Sequence, residues 1–136
     1  MPINSLRHEA DAKIKQILLI DDDSDEHVFF SSALKNYDSN ITCVTAFNCT
    51  EGYKLANEKK PDIVFLDMNL PGTNGLICLR KFKKTLSLQD VPVYMYSGGI
   101  VTDKEIVLAL QSGAKKWIAK PRKFEDYNKM FSRCLN

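Results

Sequence analysis

Polar side chains that could do chemistry follow four apolar runs of the chain, at the point where each run ends. They are the aspartates at 21–23, then Asp67, Ser97 and Lys120. Three of these features have an ordinary explanation by themselves: a solvated turn for 21–23, a helix cap for Asp67 and a surface lysine beside a proline for Lys120. Carboxylates, a hydroxyl and an ammonium group on one rim would instead form a site for phosphoryl transfer to a carboxylate. Because all four features follow apolar runs, we favour one shared site.

Carboxylates crowded on such a rim need a cation. Two of them about 4 Å apart repel by about 4 kcal/mol at an effective dielectric of about 20, so three would raise one another's pKa. Hard oxygen ligands suit Mg²⁺, which takes one or two carboxylates and keeps some of its waters. The sequence therefore predicts a magnesium ion among these aspartates.

The elements that must position these side chains alternate along the chain. Five apolar or β-branched runs predict strands, and they are Gln16–Ile20, Ile41–Phe47, Asp62–Asp67, Val91–Ser97 and Lys116–Ala119. A helical pattern follows each run, with capping boxes expected at Asn48 with Glu51 and at Thr102 with Glu105. This alternation predicts an α/β fold, a doubly wound five-stranded parallel sheet with helices on both faces. In such sheets function gathers at the carboxyl ends of the strands.

Length and composition exclude several classes of protein. The chain has 136 residues, of which 44% are hydrophobic and 26% charged, and its net charge is +2. These values are ordinary for a globular domain and exclude a disordered chain or a fibre. The near balance of charge gives no electrostatic footprint for nucleic acid. No apolar run reaches the roughly 18 residues of a membrane span, and the N-terminus has no secretory apolar region.

The four cysteines are interpreted as small core residues. Cys43, Cys49, Cys78 and Cys134 have apolar neighbours, with no C-x-x-C pair and no histidine at a zinc-ligand spacing. We therefore expect a reduced, cytoplasmic protein without a structural metal. The chain is divided into an N-terminal tail or extension over 1–14 and one domain over 15–136.

Four motifs together resemble those of the response regulator receiver domains of two-component signalling, of the stand-alone chemotaxis type. They are ILLIDDD at 17–23, DIVFLDMNLPGTNG at 62–75, VPVYMYSG at 91–98 and GAKKWIAKP at 113–121. The resemblance covers nearly the whole chain, from Gln16 to about Leu135. It implies a flavodoxin-like (βα)5 fold with the strand order 2-1-3-4-5.

The resemblance also implies a role for each residue of the rim. Asp67 is the expected phosphoacceptor, and Ser97 and Lys120 are expected to contact its phosphoryl group. The metal ligands that it implies are Asp22, Asp67, the backbone carbonyl of Asn69, and Asp21 through a water.

Further features of the family concern switching and lifetime. Ser97 is also the expected switch hydroxyl, and Trp117 lies where the family places its aromatic switch residue, although a plain packing role for this tryptophan is the alternative. The family often has a cis peptide before its proline, here Lys120–Pro121. Asn69 and Gly99 lie at positions that tune the phosphoryl lifetime in the family. The Asn69 amide could orient an attacking water and Gly99 has no side chain to shield the phosphorus, so both favour fast autodephosphorylation, unless both residues only serve turns.

A phospho-accepting signalling protein, and not an enzyme, is the function that these features predict. A histidine kinase or phosphotransfer protein is expected to phosphorylate Asp67 with Mg²⁺ bound, and no output domain is expected. The phosphorylated form should bind a downstream protein through the face of the fourth helix, fifth strand and fifth helix. A basic cluster near this face suggests an acidic partner, and its members are Lys115, Lys116, Lys120, Arg122 and Lys123. Neither nucleic acid nor membrane is expected as a partner.

Two alternatives share parts of this pattern. A small phosphatase of the haloacid dehalogenase type also uses a strand-end aspartate, a lysine and Mg²⁺, but it needs an acidic pair at a later strand end. Only Glu125 and Asp126, in a predicted helix, follow Lys120. A flavin- or nucleotide-binding module would place phosphate after the first strand, where three aspartates repel it, and the chain has no glycine-rich phosphate motif. His8 and His27 are interpreted as surface residues.

Overall fold

A five-stranded parallel sheet forms the centre of the molecule in this computed structural model, which describes residues 13–135. The strands are β1 (Gln16–Ile20), β2 (Thr42–Ala46), β3 (Ile63–Asp67), β4 (Val93–Ser97) and β5 (Lys116–Ala119). The helices are α1 (Ser24–Tyr37), α2 (Cys49–Glu58), α3 (Gly75–Lys84), α4 (Asp103–Gln111) and α5 (Phe124–Leu135). The strands lie in the order 2-1-3-4-5 and every neighbouring pair is parallel, which confirms the predicted fold.

Two hydrophobic cores cover the two faces of the sheet. One contains Leu18, Leu66 and Met95 with apolar residues of α2, α3 and α4. The other contains Phe65 and Tyr96 with apolar residues of α1 and α5. Adjacent strand residues therefore enter opposite cores, which is why the three central strands are buried at every position and show no apolar–polar alternation.

The strand register brings the polar strand ends to one edge of the sheet. Ile20 pairs with Leu66, Asp67 pairs with Tyr96, and Ser97 pairs with Ala119. Asp67 and Ser97 lie at these positions, and Asp21 and Lys120 directly follow them. The four residues therefore lie on one rim, as the sequence predicts.

Helix α4 begins at the predicted capping box, in which the side chains of Thr102 and Glu105 each bond to the other residue's backbone N–H. At the start of α2 the pattern differs. The Asn48 side chain accepts the N–H of Glu51, but the Glu51 carboxylate accepts the N–H of Phe47. A capping box would have Glu51 accept the N–H of Asn48 itself, so here the glutamate bonds one residue too early.

Two expectations are wrong, and a third lies mostly outside the structure. The peptide bond between Lys120 and Pro121 is trans, since no cis peptide bond occurs within residues 13–135. The cysteines are not all reduced, because a disulfide joins Cys49 to Cys78 while Cys43 and Cys134 stay free. The predicted tail over 1–14 lies outside the described residues except for its last two. Within residues 13–135, no helix is long and apolar enough to cross a membrane.

Candidate functional site

Three aspartates converge at the carboxyl edge of the sheet. Asp21 directly follows β1 and is fully buried, Asp67 ends β3 and is 4% exposed, and Asp22 is exposed. One carboxylate oxygen from each lies within 4.8 Å of the others. The chain bends tightly here, because the backbone N–H of Asp23 donates to Asp21 Oδ1 at 2.9 Å. The structure therefore assembles the acidic cluster that the sequence predicts.

Lys120, directly after β5, is the cation of this cluster. Its Nζ lies 2.7 Å from Asp21 Oδ2 and 3.4 Å from Asp67 Oδ2. Burial alone would lower the pKa of Lys120, but its hydrogen bond to Asp21 and the charges of Asp21 and Asp67 outweigh burial and raise it. One lysine thus stays charged between two buried carboxylates, and negative charge remains in excess.

Burial and this excess charge together raise the proton affinity of Asp67. Burial, followed by the negative charge of Asp21, raises its pKa from 3.8 to about 6. The charge of Lys120 and the N–H of Asn69, which donates to Asp67 Oδ1 at 3.2 Å, act in the opposite direction but do not cancel the rise. A raised carboxylate pKa beside a specific charged partner is typical of functional sites.

Glycines let the backbone close around this cluster at two points. A Cβ on Gly75, the first residue of α3, would lie 2.6 Å from the carbonyl oxygen of Asp67 and 2.8 Å from Met68 Cα. A Cβ on Gly98 would lie 3.2 Å from Lys120 Cδ. The Asn74-Gly75 turn signal therefore marks the point where the backbone of α3 closely approaches the backbone of Asp67 and Met68.

The remaining predicted residues surround the cluster at different depths. Ser97 ends β4, is 3% exposed, and its Oγ accepts the N–H of Gly99 at 3.4 Å. Asn69 begins a two-residue strand, and its side-chain nitrogen lies 4.0 Å from where a Cβ on Gly99 would stand. Trp117 is half-buried in β5 beside Met95 and packs against the core under α2, α3 and α4.

Comparison with known proteins then decides the family. The family model described as response regulator receiver domain matches residues 17–132. The chain belongs to this family.

Relatives and solved structures agree with this assignment. The receiver domain is 35% identical over 111 residues to the probable C4-dicarboxylate response regulator DctR of Bacillus subtilis, covering 81% of this chain and 47% of that protein. Protein PilH of Pseudomonas aeruginosa is 30% identical over 110 residues, which cover 78% of this chain and 85% of PilH. The receiver domain of NtrX from Brucella abortus superposes with a TM-score of 0.72 at 31% identity, over 88% of this chain and 97% of that one. The chain spans about half the length of several curated relatives that it matches.

The acidic cluster of this receiver domain fits a divalent cation. Receiver domains bind Mg²⁺ at an acidic pocket, and here Asp21, Asp22 and Asp67 supply only hard oxygen donors. Asp21 Oδ2 is fully buried, and its ion pair with Lys120 Nζ at 2.7 Å uses only part of its capacity to accept. A buried carboxylate oxygen in that position has capacity left for a cation or its water.

His27 of the receiver domain is not a surface residue, so that interpretation is wrong. The residue is 8% exposed, and its ring stacks on Phe47 with ring centroids 4.3 Å apart and holds Nε2 2.6 Å from the carbonyl oxygen of Asp21. The helical position of His27 three residues before the buried Phe30 is the sequence signal for burial.

Sequence reasoning also missed a buried polar network behind the site. Glu26 of α1 is 8% exposed, and its Oε2 accepts the hydroxyl of Tyr96 at 2.7 Å and that of Tyr127 at 2.8 Å. Burial raises the pKa of Glu26, and the two hydroxyl donors oppose that rise. A tyrosine within a fully buried central strand was the available signal, since a buried phenol needs a hydrogen-bond partner.

Proposed function

We propose that this receiver domain accepts a phosphoryl group on Asp67 from the phosphohistidine of a histidine kinase or phosphotransfer protein, with Mg²⁺ bound. Receiver domains work with such donors and with downstream targets. The observation that carries the proposal for this residue is its place: Asp67 is a buried carboxylate within 4.8 Å of two other aspartates and 3.4 Å from a lysine.

The step is a substitution at phosphorus. A carboxylate oxygen of Asp67 attacks the phosphorus atom, a P–O bond forms, and the P–N bond to the donor imidazole breaks. The electron pair of that bond stays on the imidazole nitrogen, and the product is an aspartyl phosphate. We assign Lys120 to offsetting the charge on the acceptor and Ser97, the last residue of β4, to donating its hydroxyl.

Asp21, Asp22, Asp67 and the backbone carbonyl of Asn69 are the groups proposed to hold the cation. When bound, Mg²⁺ would supply positive charge to the phosphoryl oxygens. Asp22 is exposed, whereas Asp21 already has Lys120 at 2.7 Å. This difference supports direct coordination by Asp22 and a water-mediated contact for Asp21. Calorimetric Mg²⁺ titration should therefore show a larger loss of affinity in Asp22→Ala than in Asp21→Ala, and equal or reversed losses would contradict this order.

The proposed output is a change at the α4-β5-α5 face. Ser97 and Trp117 are its proposed switch residues, and Trp117 supports this because it is half-buried in β5, the strand of that face. The face already presents apolar side chains, with Val107 50% and Leu110 45% exposed. Exposed basic residues accompany them and are Lys115, Lys116, Arg122 and Lys123. A downstream protein with acidic and apolar groups would match this surface.

The receiver is proposed to act as a signalling switch in the cytoplasm that is not itself an enzyme and binds no nucleic acid. The nearly balanced charge supports the last point.

Labelling by a small phosphodonor tests the proposed acceptor. With acetyl phosphate and Mg²⁺, the natural chain should take up one phosphoryl group per molecule, and Asp67→Asn should take up none. Asp62→Asn is the matched control, because Asp62 lies just before β3, at the end of the strand away from Asp67, where it accepts the N–H groups of Lys15 and Gln16. Undiminished label on Asp67→Asn would refute the assignment.

A further inference from the structure

A disulfide joins two helices beside the proposed phosphorylation site. Cys49 is the first residue of α2 and Cys78 lies one turn into α3, and their Cα atoms are 5.9 Å apart although 29 residues separate them in sequence. We propose that this pair is a reversible thiol–disulfide site, exchanging with low-molecular-weight disulfides of the glutathione type, and that its redox state sets the affinity of the acidic cluster for Mg²⁺. The second part rests on the proposed function.

The two cysteines differ in a way that suits such exchange. Cys49 is partly exposed and lines an open cleft with Thr50, Lys54 and the loop residues 71–73. It also lies at the N-terminus of α2, where backbone N–H groups stabilise a thiolate. Cys78 is fully buried. Cys49 is therefore the thiol that a solvent-borne oxidant can reach, and Cys78 is the thiol that resolves the intermediate.

The exchange balances without any further reactant. The Cys49 thiolate attacks one sulfur of the small disulfide, a mixed disulfide forms, and one small thiolate leaves. The Cys78 thiolate then attacks the Cys49 sulfur, the protein disulfide forms, and the second small thiolate leaves. Two protein thiols are oxidised, one small disulfide is reduced to two thiols, and the two protons lost by the cysteines are available to them.

The other two cysteines are the internal contrast. Cys43 and Cys134 are free and partly buried, and burial raises the pKa of both thiols. Neither has a helix N-terminus to stabilise its thiolate, because Cys43 lies in β2 and Cys134 near the end of α5. Exchange should accordingly be confined to Cys49 and Cys78.

Compartment explains why the bond should be reversible. Under the proposed function this receiver works beside a kinase in the cytoplasm, where thiols are kept reduced. Disulfides that form in such a compartment are mostly transient, catalytic or redox-sensing.

The backbone connects the pair to the acidic cluster. Helix α3 carries Cys78 and begins at Gly75, whose N–H donates to the carbonyl oxygen of Met68 at 2.6 Å. Only the segment 68–74, which includes the proposed ligand Asn69, separates α3 from Asp67. The acidic cluster is assembled in the disulfide form, in which the bond links α3 to α2 and would thereby preorganise the site. Reduction should loosen this hold and weaken Mg²⁺ binding.

Thiol titration and Mg²⁺ calorimetry test the two parts separately. The full chain carrying Cys43→Ser and Cys134→Ser is equilibrated across ratios of reduced to oxidised glutathione, and alkylated thiols are counted by mass. We expect Cys49 and Cys78 to lose and regain both thiols together. The dissociation constant for Mg²⁺ should be about three-fold or more higher in the reduced form than in the oxidised form.

The control adds Cys49→Ser to the same background, in which reductant should leave Mg²⁺ affinity unchanged. The natural chain with and without reductant gives the same comparison free of substitutions. A pair that stays oxidised or stays reduced across all ratios overturns the exchange site, and equal Mg²⁺ affinity in both redox forms overturns the coupling. Neither readout uses a phosphoryl donor, so its result is distinct from the labelling of Asp67.

Discussion

Asp67 and Glu26 are both buried carboxylates of this receiver domain, with 4% and 8% of their surfaces exposed, but their neighbours differ. Glu26 accepts hydroxyl hydrogen bonds from Tyr96 and Tyr127, and these lower its pKa against the effect of burial. Asp67 meets the negative charge of Asp21, which adds to the effect of burial. Glu26 is stabilised by two hydroxyl donors. Asp67 instead keeps a negative charge that its neighbours do not balance, which suits it to bind a cation or to attack a phosphoryl group.

The contrast teaches that burial alone does not identify a functional acid. Desolvation raises the pKa of both groups. The next largest cause separates them: a hydrogen bond from Tyr96 lowers the pKa of Glu26, whereas the negative charge of Asp21 raises that of Asp67. Hydrogen-bond donors indicate a structural role and a like charge indicates a site. If this distinction is correct, Glu26→Leu must lower the free energy of unfolding and Asp67→Asn must raise it.

Glu26→Leu should give the largest change, a loss of about 4 kcal/mol in the free energy of unfolding. Two buried tyrosine hydroxyls would lose their acceptor, at about 1–3 kcal/mol each. Glu26→Gln keeps an acceptor oxygen and is the matched control, with an expected change within about 1 kcal/mol. Urea unfolding measures both variants. Equal stabilities for the leucine and glutamine variants would remove Glu26 from the comparison.

Asp67→Asn should change stability in the opposite direction, with a gain of about 3 kcal/mol for the metal-free protein at pH 7.5. The folded-state pKa of about 6 lies above the usual 3.8, so the folded state binds the proton more tightly than the unfolded state. The carboxylate therefore destabilises the fold increasingly as pH rises from about 4 to about 6, by about 1.4 kcal/mol per pKa unit.

Two conditions sharpen that prediction. The gain from Asp67→Asn should vanish near pH 4, where the natural carboxyl is protonated, and should shrink when Mg²⁺ saturates the natural chain. A gain that is the same at pH 4 and pH 7.5 would show that charge is not its cause.

Tyr127→Phe should have a smaller effect, a loss of about 1 kcal/mol, because Glu26 keeps the hydroxyl of Tyr96. Tyr94→Phe is the control, since the Tyr94 hydroxyl donates at 3.3 Å to the carbonyl oxygen of Cys134 and does not contact Glu26. In a double-mutant cycle, Tyr127→Phe should couple to Glu26→Leu, whereas Tyr94→Phe should not. Additive effects of Tyr127→Phe and Glu26→Leu would mean that the network is not a unit.

The smallest predicted effect concerns the lifetime of the aspartyl phosphate. The Asn69 backbone N–H donates to Asp67, and the Asn69 side-chain nitrogen lies 4.0 Å from where a Cβ on Gly99 would stand, so larger side chains at both positions would crowd this space. The double variant Asn69→Lys, Gly99→Tyr should lengthen the lifetime a few-fold, equivalent to about 1 kcal/mol or less in the barrier. Loss of radiolabel after removal of the donor measures it. An unchanged or shorter lifetime would show that these side chains do not limit the access of water.

Sequence alone predicted the sheet and the rim because both depend on local patterns. Continuous apolar runs mark buried parallel strands, and polar residues directly after them must meet at one edge. The acidic cluster of Asp21, Asp22 and Asp67 with Lys120 followed from that rule.

Contacts that depend on packing between distant elements were not predicted. Glu26 reads as an ordinary acid in a first helical turn, and its burial follows from α1 packing against α5. The Cys49–Cys78 bond depends on how α2 and α3 meet, which spacing does not encode. His27 was wrongly placed at the surface because its helical spacing to Phe30 was not used, and its ring contact with Phe47 completes the burial.

Chemical trapping of the aspartyl phosphate tests the role of Asp67 most directly. Borohydride reduces an acyl phosphate to an alcohol, so the phosphorylated aspartate becomes homoserine and can be located by peptide mass mapping. After treatment of the natural chain with acetyl phosphate and Mg²⁺, homoserine should occur at position 67 alone. Homoserine at Asp21, Asp22 or Glu26's neighbour Asp25, with none at position 67, would contradict the central claim.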